Sequence, residues 1–277
     1  MDDSVALVKD KGNLRKTLEE GLSLVDGLDC LKSPVVIKPN ICAGEDKTGF
    51  AVSKVNVIET LILQIFEKKR DLSVKIVESD SGSKFADAAF EVFGYKRLEE
   101  NMRNLGFDVS LVNLSHSSTV PVKLNGLYFQ DLVLPTLITE PNFFISVAVA
   151  KTHGLTFITG SLKNLFGVLP RKDQFVYHPH INEVIVDLNR IIRPDLCIVD
   201  ARVGLEGWAG PKTRKLNAFI IGKKPVSVDA TMARIMGFNP ESIQQLLEAE
   251  KFNLGILNPT ILGETVKSIK VQFNPPS

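Results

Sequence analysis

Four short apolar runs constrain the fold of this chain more than any other feature. They are VVIKPN (Val35 to Asn40), VKIVESDSGS (Val74 to Ser83), FFISVAVAKTH (Phe143 to His153) and LCIVDARVG (Leu196 to Gly204), and each ends in polar or small residues. Their hydrophobicity is continuous rather than alternating, the pattern of strands covered on both faces of a parallel sheet. Amphipathic segments lie between them. VNVIETLILQIFEKK places Val55, Ile58, Leu61, Ile62, Ile65 and Phe66 on one helical face. INEVIVDLNRIIRP does the same with Val184, Ile185, Leu188, Ile191 and Ile192 before Pro194 stops it. Strands alternating with helices predict an α/β fold: a largely parallel sheet flanked by helices on both faces. No repeat, low-complexity tract or linker interrupts the chain, so a single α/β domain over residues 1–277 is expected.

One segment breaks the rhythm. VPVKLNGLYFQDLVLP carries Asn125-Gly126 between short apolar runs, which predicts a β-hairpin insertion near residues 120–130 on a type I′ turn. Towards the end, Gly237 suits a helix C-terminus, Asn239 caps and Pro240 opens the next helix, and VKSIKVQF reads as a last strand.

The charge balance excludes several classes of function. With 33 basic against 32 acidic residues, no nucleic acid is expected to be held by bulk electrostatics. No apolar run approaches the roughly 20 residues of a membrane helix. The opening MDDSVALVKD lacks the pattern of a signal peptide, so a soluble cytoplasmic protein without membrane contact is expected. Cys30, Cys42 and Cys197 form no CxxC pair, so there is neither a cysteine zinc site nor an iron–sulfur motif. Cys197 reads as a core thiol and Cys42 as a loop thiol.

The strand ends carry the candidate chemistry, because ligands of open α/β sheets gather outside the carboxyl ends of the strands. KTHGLTFITGSLKNLFGVLP crowds Lys151, Thr152, His153, Thr159, Gly160, Ser161, Lys163 and Asn164 into 14 residues. Thr159 is placed to cap a helix from Gly160 to Phe166 that Gly167 ends. The first backbone donors, at Gly160 and Ser161, would then favour an anion. No GxxxxGK[ST], GxGxxG or GxSxG motif is present. Taken one at a time, Thr159 is equally a plain cap, Lys163 a solvated cation and His153 a satisfied structural residue.

Other strand ends add to this set. Lys38 and Asn40 flank Pro39, which holds Lys38 extended for carboxylate or phosphate capture. Asp80 precedes Ser81 and Ser83, a loop of hydroxyls. Asp200 leads into ARVGLEGWAGP, where glycines surround Glu206 and the lone Trp208; this is either a ligand lid or a turn plugged by an aromatic ring. Asp229 reads as the N-terminal charge of its own helix. His178-Pro-His180, if extended, puts two imidazoles on one face and suits a divalent metal with His153, Asp200 or Glu206 as third ligand.

Five motifs together resemble the family called domain of unknown function 362. They are IKPN; ESDSGS followed by AFEVFGY; AKTHGLTFITGSLKNLFGVLP; IVDARVGLEGWAGP; and PVSVDATMARIMGFNP, spread over about residues 35–255. The family's strongest signature is matched at Lys151, Thr152, His153, Lys163, Asn164 and Gly167. The resemblance implies an α/β domain without a settled reaction. It also implies redox-linked work, since many members carry a ferredoxin-like cysteine cluster that this chain lacks. PKTRK after Gly210 and Lys223-Lys224-Pro225 are further departures. In its lysine and histidines at strand ends the chain is also similar to the nickel-dependent lactate racemase superfamily.

Two readings of function follow. In the first, Lys38, Lys151 and Lys163 hold a small anionic metabolite or cofactor, His153 or His178 moves a proton, and Asp80 or Asp200 orients the base or a metal; the chemistry is proton transfer or redox-linked. In the second, the chain is a non-catalytic accessory module working with a separate ferredoxin or a metal-delivery partner. Either is compatible with an oligomer.

Overall fold

The structure is a computed structural model and describes residues 3–276, so Met1, Asp2 and Ser277 lie outside the account. The chain alternates strands and helices as the apolar runs require. In order come β1 (Val5–Lys9), α1 (Leu14–Leu24), β2 (Val35–Pro39), α2 (Val55–Lys68), β3 (Ser73–Glu78), α3 (Ala86–Val92), α4 (Tyr95–Asn104) and β4 (Asp108–Asn113). Next come β5 (Thr119–Lys123), β6 (Asp131–Pro135), α5 (Thr136–Thr139), β7 (Phe143–His153), β8 (Phe157–Ile158), α6 (Gly160–Asn164) and α7 (Ile181–Ile192). The remainder is β9 (Leu196–Glu206), β10 (Lys212–Gly222), α8 (Pro225–Ile235), α9 (Gln244–Glu250), β11 (Ile261–Gly263) and α10 (Val266–Ile269).

The main sheet runs β11-β1-β10-β9-β7-β2-β3-β4, with the short β8 folded back on β7. Every neighbouring pair along that path is parallel except the two made by β10. Both faces are covered. Helices α1 to α4 pack Leu18, Ile58, Leu61, Phe90 and Tyr95 against one face, and α6 to α9 pack Leu162, Val184, Ile185, Met232 and Leu246 against the other. Two-sided burial is why β7 reads as an unbroken apolar run: all but His153 of its eleven residues are buried. Among the described residues no helix is long and apolar enough to cross a membrane.

The order of the strands locates a crevice. From β2 the chain crosses by α2 to β3 over one face, whereas from β7 it crosses by α6 and α7 to β9 over the other. β2 and β7 are hydrogen-bonded neighbours, Val35 opposite Phe143 and Pro39 opposite Val147. Their outgoing connections therefore part company at their carboxyl ends, the place where an open α/β sheet leaves room for a ligand.

Three local expectations are corrected. The hairpin exists, with β5 antiparallel to β6, but seven residues connect the strands instead of a two-residue type I′ turn. Neither Asn125 nor Gly126 has positive φ. The connection is shaped from outside: the N–H groups of Leu127, Tyr128 and Phe129 donate to the buried carboxylate of Asp187 on α7 at 2.9–3.0 Å. VKSIKVQF forms α10, with Thr265 accepting from Ser268 N–H, and then an extended tail. The N–H groups of Val271 and Phe273 donate to Ile235 and Met236 carbonyls at the end of α8, so a helix terminus takes the bonds that a strand partner would have taken. The third correction is Asp229. It sits one turn into α8, fully buried, and caps a different helix.

Candidate functional site

A cleft of about 530 Å³ opens at the carboxyl ends of β2, β3 and β7, where the crossovers diverge. Lys38 and Asn40 reach it from β2, Glu78 and the Ser81–Lys84 loop from β3, and Lys151 and His153 from β7. Lys163, Asn164 and Gly167 come from α6 and the turn after it, Gln174, Phe175 and His178 from the 3₁₀ segment Gln174–His180, and Trp208 from the β9–β10 loop. Among the described residues four lysines line it against one carboxylate, Glu78.

The floor is a buried charge cluster. Lys38 Nζ donates to Glu78 Oε2 at 2.7 Å and to the Pro39 carbonyl at 2.7 Å, while Lys84 Nζ lies 3.5 Å from Glu78 Oε1 and donates to the Ser79 carbonyl. All three side chains are almost completely buried. Burial pulls Lys38 below the usual lysine range, and Glu78 opposes that pull. Gly167 fits closely over this cluster: a Cβ there would come within 3.0–3.1 Å of Glu78 Oε1 and Lys38 Nζ.

Above the floor the lysines differ in how far they are committed. Lys151 Nζ donates to the Ala51 carbonyl at 3.2 Å, the Trp208 carbonyl at 3.1 Å and Cys42 Sγ at 3.2 Å, which engages all three of its protons. Lys163 makes no hydrogen bond or ion pair among the described residues; its Nζ stands 5.6 Å from the centre of the Phe166 ring. Burial, reinforced by Lys151, brings Lys163 down to about 8. His153 Nδ1 accepts from Leu155 N–H at 3.2 Å, which leaves Nε2 to carry the ring proton. Burial, then Lys163, Lys151 and His178, hold His153 down at about 3, and burial with Lys163 also lowers His178. Thr159 is one of the residues lining the cleft, and its buried Oγ1 has no hydrogen-bond partner among the described residues.

The structure thus gathers Lys38, Asn40, Ser81, Ser83, Lys151, His153, Thr159, Lys163, Asn164 and His178 around one cleft. Some of these are occupied with the scaffold. Asn40 Nδ2 donates to the Ala51 carbonyl, and Asn164 Nδ2 ties α6 to the Lys38 carbonyl and Ser146 Oγ. Ser83 Oγ pairs with Ser81 Oγ and donates to the Cys42 carbonyl.

Others are turned away. The expected free donors at the start of α6 are already taken: Ser161 N–H and Leu162 N–H donate to Asp229 Oδ1 and Oδ2 at 2.7 and 2.9 Å, and Gly160, at φ +78°, leaves no room for a Cβ beside that carboxylate. Gly160 and Ser161 are therefore part of a buried joint between α6 and α8. Thr159 holds the position before the helix, but its hydroxyl does not cap it. Thr152 Oγ1 accepts from Gly207 N–H at 2.7 Å and anchors the β9–β10 loop.

The three outlying carboxylates also have local partners. Asp80 Oδ1 accepts from Ala86 N–H at 2.8 Å and from Asn113 Nδ2, so it serves the start of α3. Asp200 pairs with Arg202 at 2.7 Å and lines a separate cleft with Lys54 and Val149. Glu206 holds Arg214 and the Asn274 backbone. The metal reading does not fit the residues present. Gln174–His180 is a 3₁₀ helix rather than extended, so His178 reaches the cleft while the His180 ring lies against Tyr128. Among the described residues no group of three or more His, Cys, Asp or Glu side chains could hold a metal ion.

Sequence reasoning passed over Glu78, Lys84, Gln174 and Phe175. Glu78 carried a readable signal, a lone carboxylate ending an apolar strand, since a charge in such a place must be paired. Lys84, Gln174 and Phe175 carried none, because folding back of loops brings them to the cleft.

Comparison with known proteins agrees with this architecture. A thylakoid-associated protein of Synechocystis sp. is 22% identical over 285 residues, covering 94% of this chain and 82% of that one. The lactate racemase apoprotein from Thermoanaerobacterium thermosaccharolyticum has a similar fold, with a TM-score of 0.53 at 11% identity over 82% of this chain. This chain spans 56% of that structure's length, and the likeness is one of fold. The model of the family described as Domain of unknown function (DUF362) matches residues 35–234, most of the chain and all of the strands that build the cleft. This chain belongs to the DUF362 family.

Proposed function

We propose that the chain is a cytoplasmic small-molecule enzyme that binds an anionic metabolite in the cleft at the ends of β2, β3 and β7 and moves a proton with His153. The observation that carries this reading is the cationic surplus of the cleft, among the described residues four lysines against the single carboxylate of Glu78. A half-buried surplus of like charge is costly until an anion compensates it. Lys151, with its donors engaged, acts as a fixed positive charge. Lys163 and the Thr159 hydroxyl, which has no partner among the described residues, supply donors. His153, stripped of basicity by burial and its cationic neighbours, recovers the part those neighbours removed when an anion enters, so substrate binding arms the base.

That coupling sets a sign. An anion offsets the part of the lowering that comes from Lys163 and Lys151, though not the larger part that comes from burial. His153 therefore rises from about 3, binding takes up protons, and affinity strengthens as pH falls below neutrality. Affinity weakens as pH rises through about 8, where Lys163 loses its charge. Calorimetric titration with phenyllactate or inorganic phosphate, in buffers of different ionisation heat, measures the uptake. Proton uptake that grows as pH falls below about 6 and disappears in His153→Gln is expected; pH-independent binding, or none, would remove the proposal.

The exposed rim residues Leu155, Phe175 and Trp208 favour a second reading, an accessory module that docks a partner protein. Native mass spectrometry of protein purified without added ligand separates the two. A copurifying small anion lost in Lys163→Met supports the enzyme reading, and a retained protein partner supports the module.

A further inference from the structure

Among the four cleft lysines, three are fixed by acceptors and one is not. Lys38 and Lys84 share Glu78 and take backbone carbonyls, and Lys151 has spent its three protons. Lys163 has no hydrogen-bond acceptor among the described residues and faces an aromatic ring instead. A partly buried ammonium with no acceptor is poorly solvated and favours its neutral amine, and a nearby fixed cation pushes further the same way. A desolvated lysine beside another cation is the arrangement that activates an amine as a nucleophile towards carbonyl carbon. The other groups of the cleft complement such a ligand. Lys151 supplies a positive field for a carboxylate, and Thr159 Oγ1 is a buried hydroxyl without a partner among the described residues. Ile41, Leu155, Phe166 and Phe175 form apolar walls, so the ligand has a hydrophobic body as well as a charged head.

We propose that Lys163 is an imine-forming nucleophile and that the ligand class of this cleft is oxo acids with an apolar side chain. The inference rests on the anion-binding reading and names its substrate class. The Lys163 Nζ lone pair attacks the carbonyl carbon, and a carbinolamine forms. The carbonyl oxygen then leaves as water, carrying away the two protons of the amine, and a C=N bond replaces the C=O bond. No electrons are gained or lost. His153 and His178, which line the same cleft, pass the protons between nitrogen and the departing oxygen. The lowered basicity of Lys163, at about 8, keeps a useful fraction of amine near neutral pH.

The test is reductive trapping. The full chain is incubated with phenylpyruvate and cyanoborohydride, whose hydride converts an imine to a stable secondary amine, and the intact mass is measured. One adduct per chain is expected, heavier by phenylpyruvate less one oxygen atom, with peptide mapping to Lys163. The adduct is expected to be lost in Lys163→Met and in Lys163→Arg, and phenyllactate, which has the carboxylate but no carbonyl, is titrated in parallel into the wild-type protein. If phenyllactate binds the wild-type protein and no adduct forms at Lys163, the imine is overturned and the anion site stands. If phenyllactate fails to bind and no adduct forms, the anion-binding reading falls with it. Adducts scattered over surface lysines and undiminished in Lys163→Met would also overturn the proposal.

Discussion

Glu78→Gln is expected to cost about 3–5 kcal/mol of folding stability, the loss typical of stranding a buried charge. Glu78 Oε2 receives Lys38 Nζ at 2.7 Å, its Oε1 is 3.5 Å from Lys84 Nζ, and all three side chains are shut off from solvent. Glutamine keeps the shape and removes the only negative charge that the described residues bring to the cluster, so two ammonium groups face each other in a low-dielectric floor. Lys38, which burial already drives towards the neutral form, would shed its proton, and the cleft would lose charge as well as stability. Denaturant midpoints measure the cost. The double variant Glu78→Gln/Lys38→Met is expected to lose less than the sum of its parts, since neither change then strands the other's partner. A Glu78→Gln variant within about 0.5 kcal/mol of wild type would show that the cluster is hydrated rather than buried.

The second large effect is expected at Asp229, which is not among the residues that line the cleft. Asp229→Ala leaves the N–H groups of Ser161 and Leu162 without acceptors in a fully buried joint, at about 1–3 kcal/mol for each. Gly160→Ala should be comparably harmful, because its positive φ and the adjoining carboxylate both exclude a side chain. Asp229 also gives stability a pH dependence. Burial pushes its carboxyl up to about 7, against the two N–H bonds that pull it down, whereas the ordinary value is 3.8. The folded protein thus holds this proton more tightly than the unfolded chain does. The group's contribution is full below 3.8 and is lost as pH rises through about 7. Asp229→Asn removes that component, so the difference between variant and wild-type denaturation midpoints should change between about pH 3.8 and about pH 7 and level off above. A difference that stays constant would show that Asp229 is ionised throughout, as an ordinary helix cap would be.

The pattern of burial made most of the fold legible. Continuous apolar runs gave β2, β3, β7 and β9, and 3.6-residue periodicity gave α2 and α7, because each element answers to the sheet that covers it. The hairpin turn was misread because its conformation answers to Asp187, sixty residues away from Leu127. The tail was misread because a helix end can satisfy an alternating segment as well as a strand can.

Strand ends likewise pointed to the cleft but not to which side chains face it. Asp200 and Arg202 are two apart on β9, so they share one side of the sheet and pair there, on the opposite side from α6. Asp80 was read as a ligand group when its neighbour two residues back, Glu78, holds the lysines. The start of α6 looked like a vacant anion site because nothing local shows that a carboxylate from α8 occupies it. In each case the residue type was legible and its partner was not, since a partner is a property of tertiary proximity.

The β9–β10 loop carries a practical consequence. Trp208 is the chain's only tryptophan, half exposed at the mouth of the cleft, and its carbonyl accepts from Lys151 Nζ at 3.1 Å. Indole emission excited at the red edge of its absorption therefore comes from this loop alone, with no second fluorophore of its kind to dilute the signal. Its spectrum is a built-in optical gauge of the mouth of the cleft, free of labels and readable on a stopped-flow timescale.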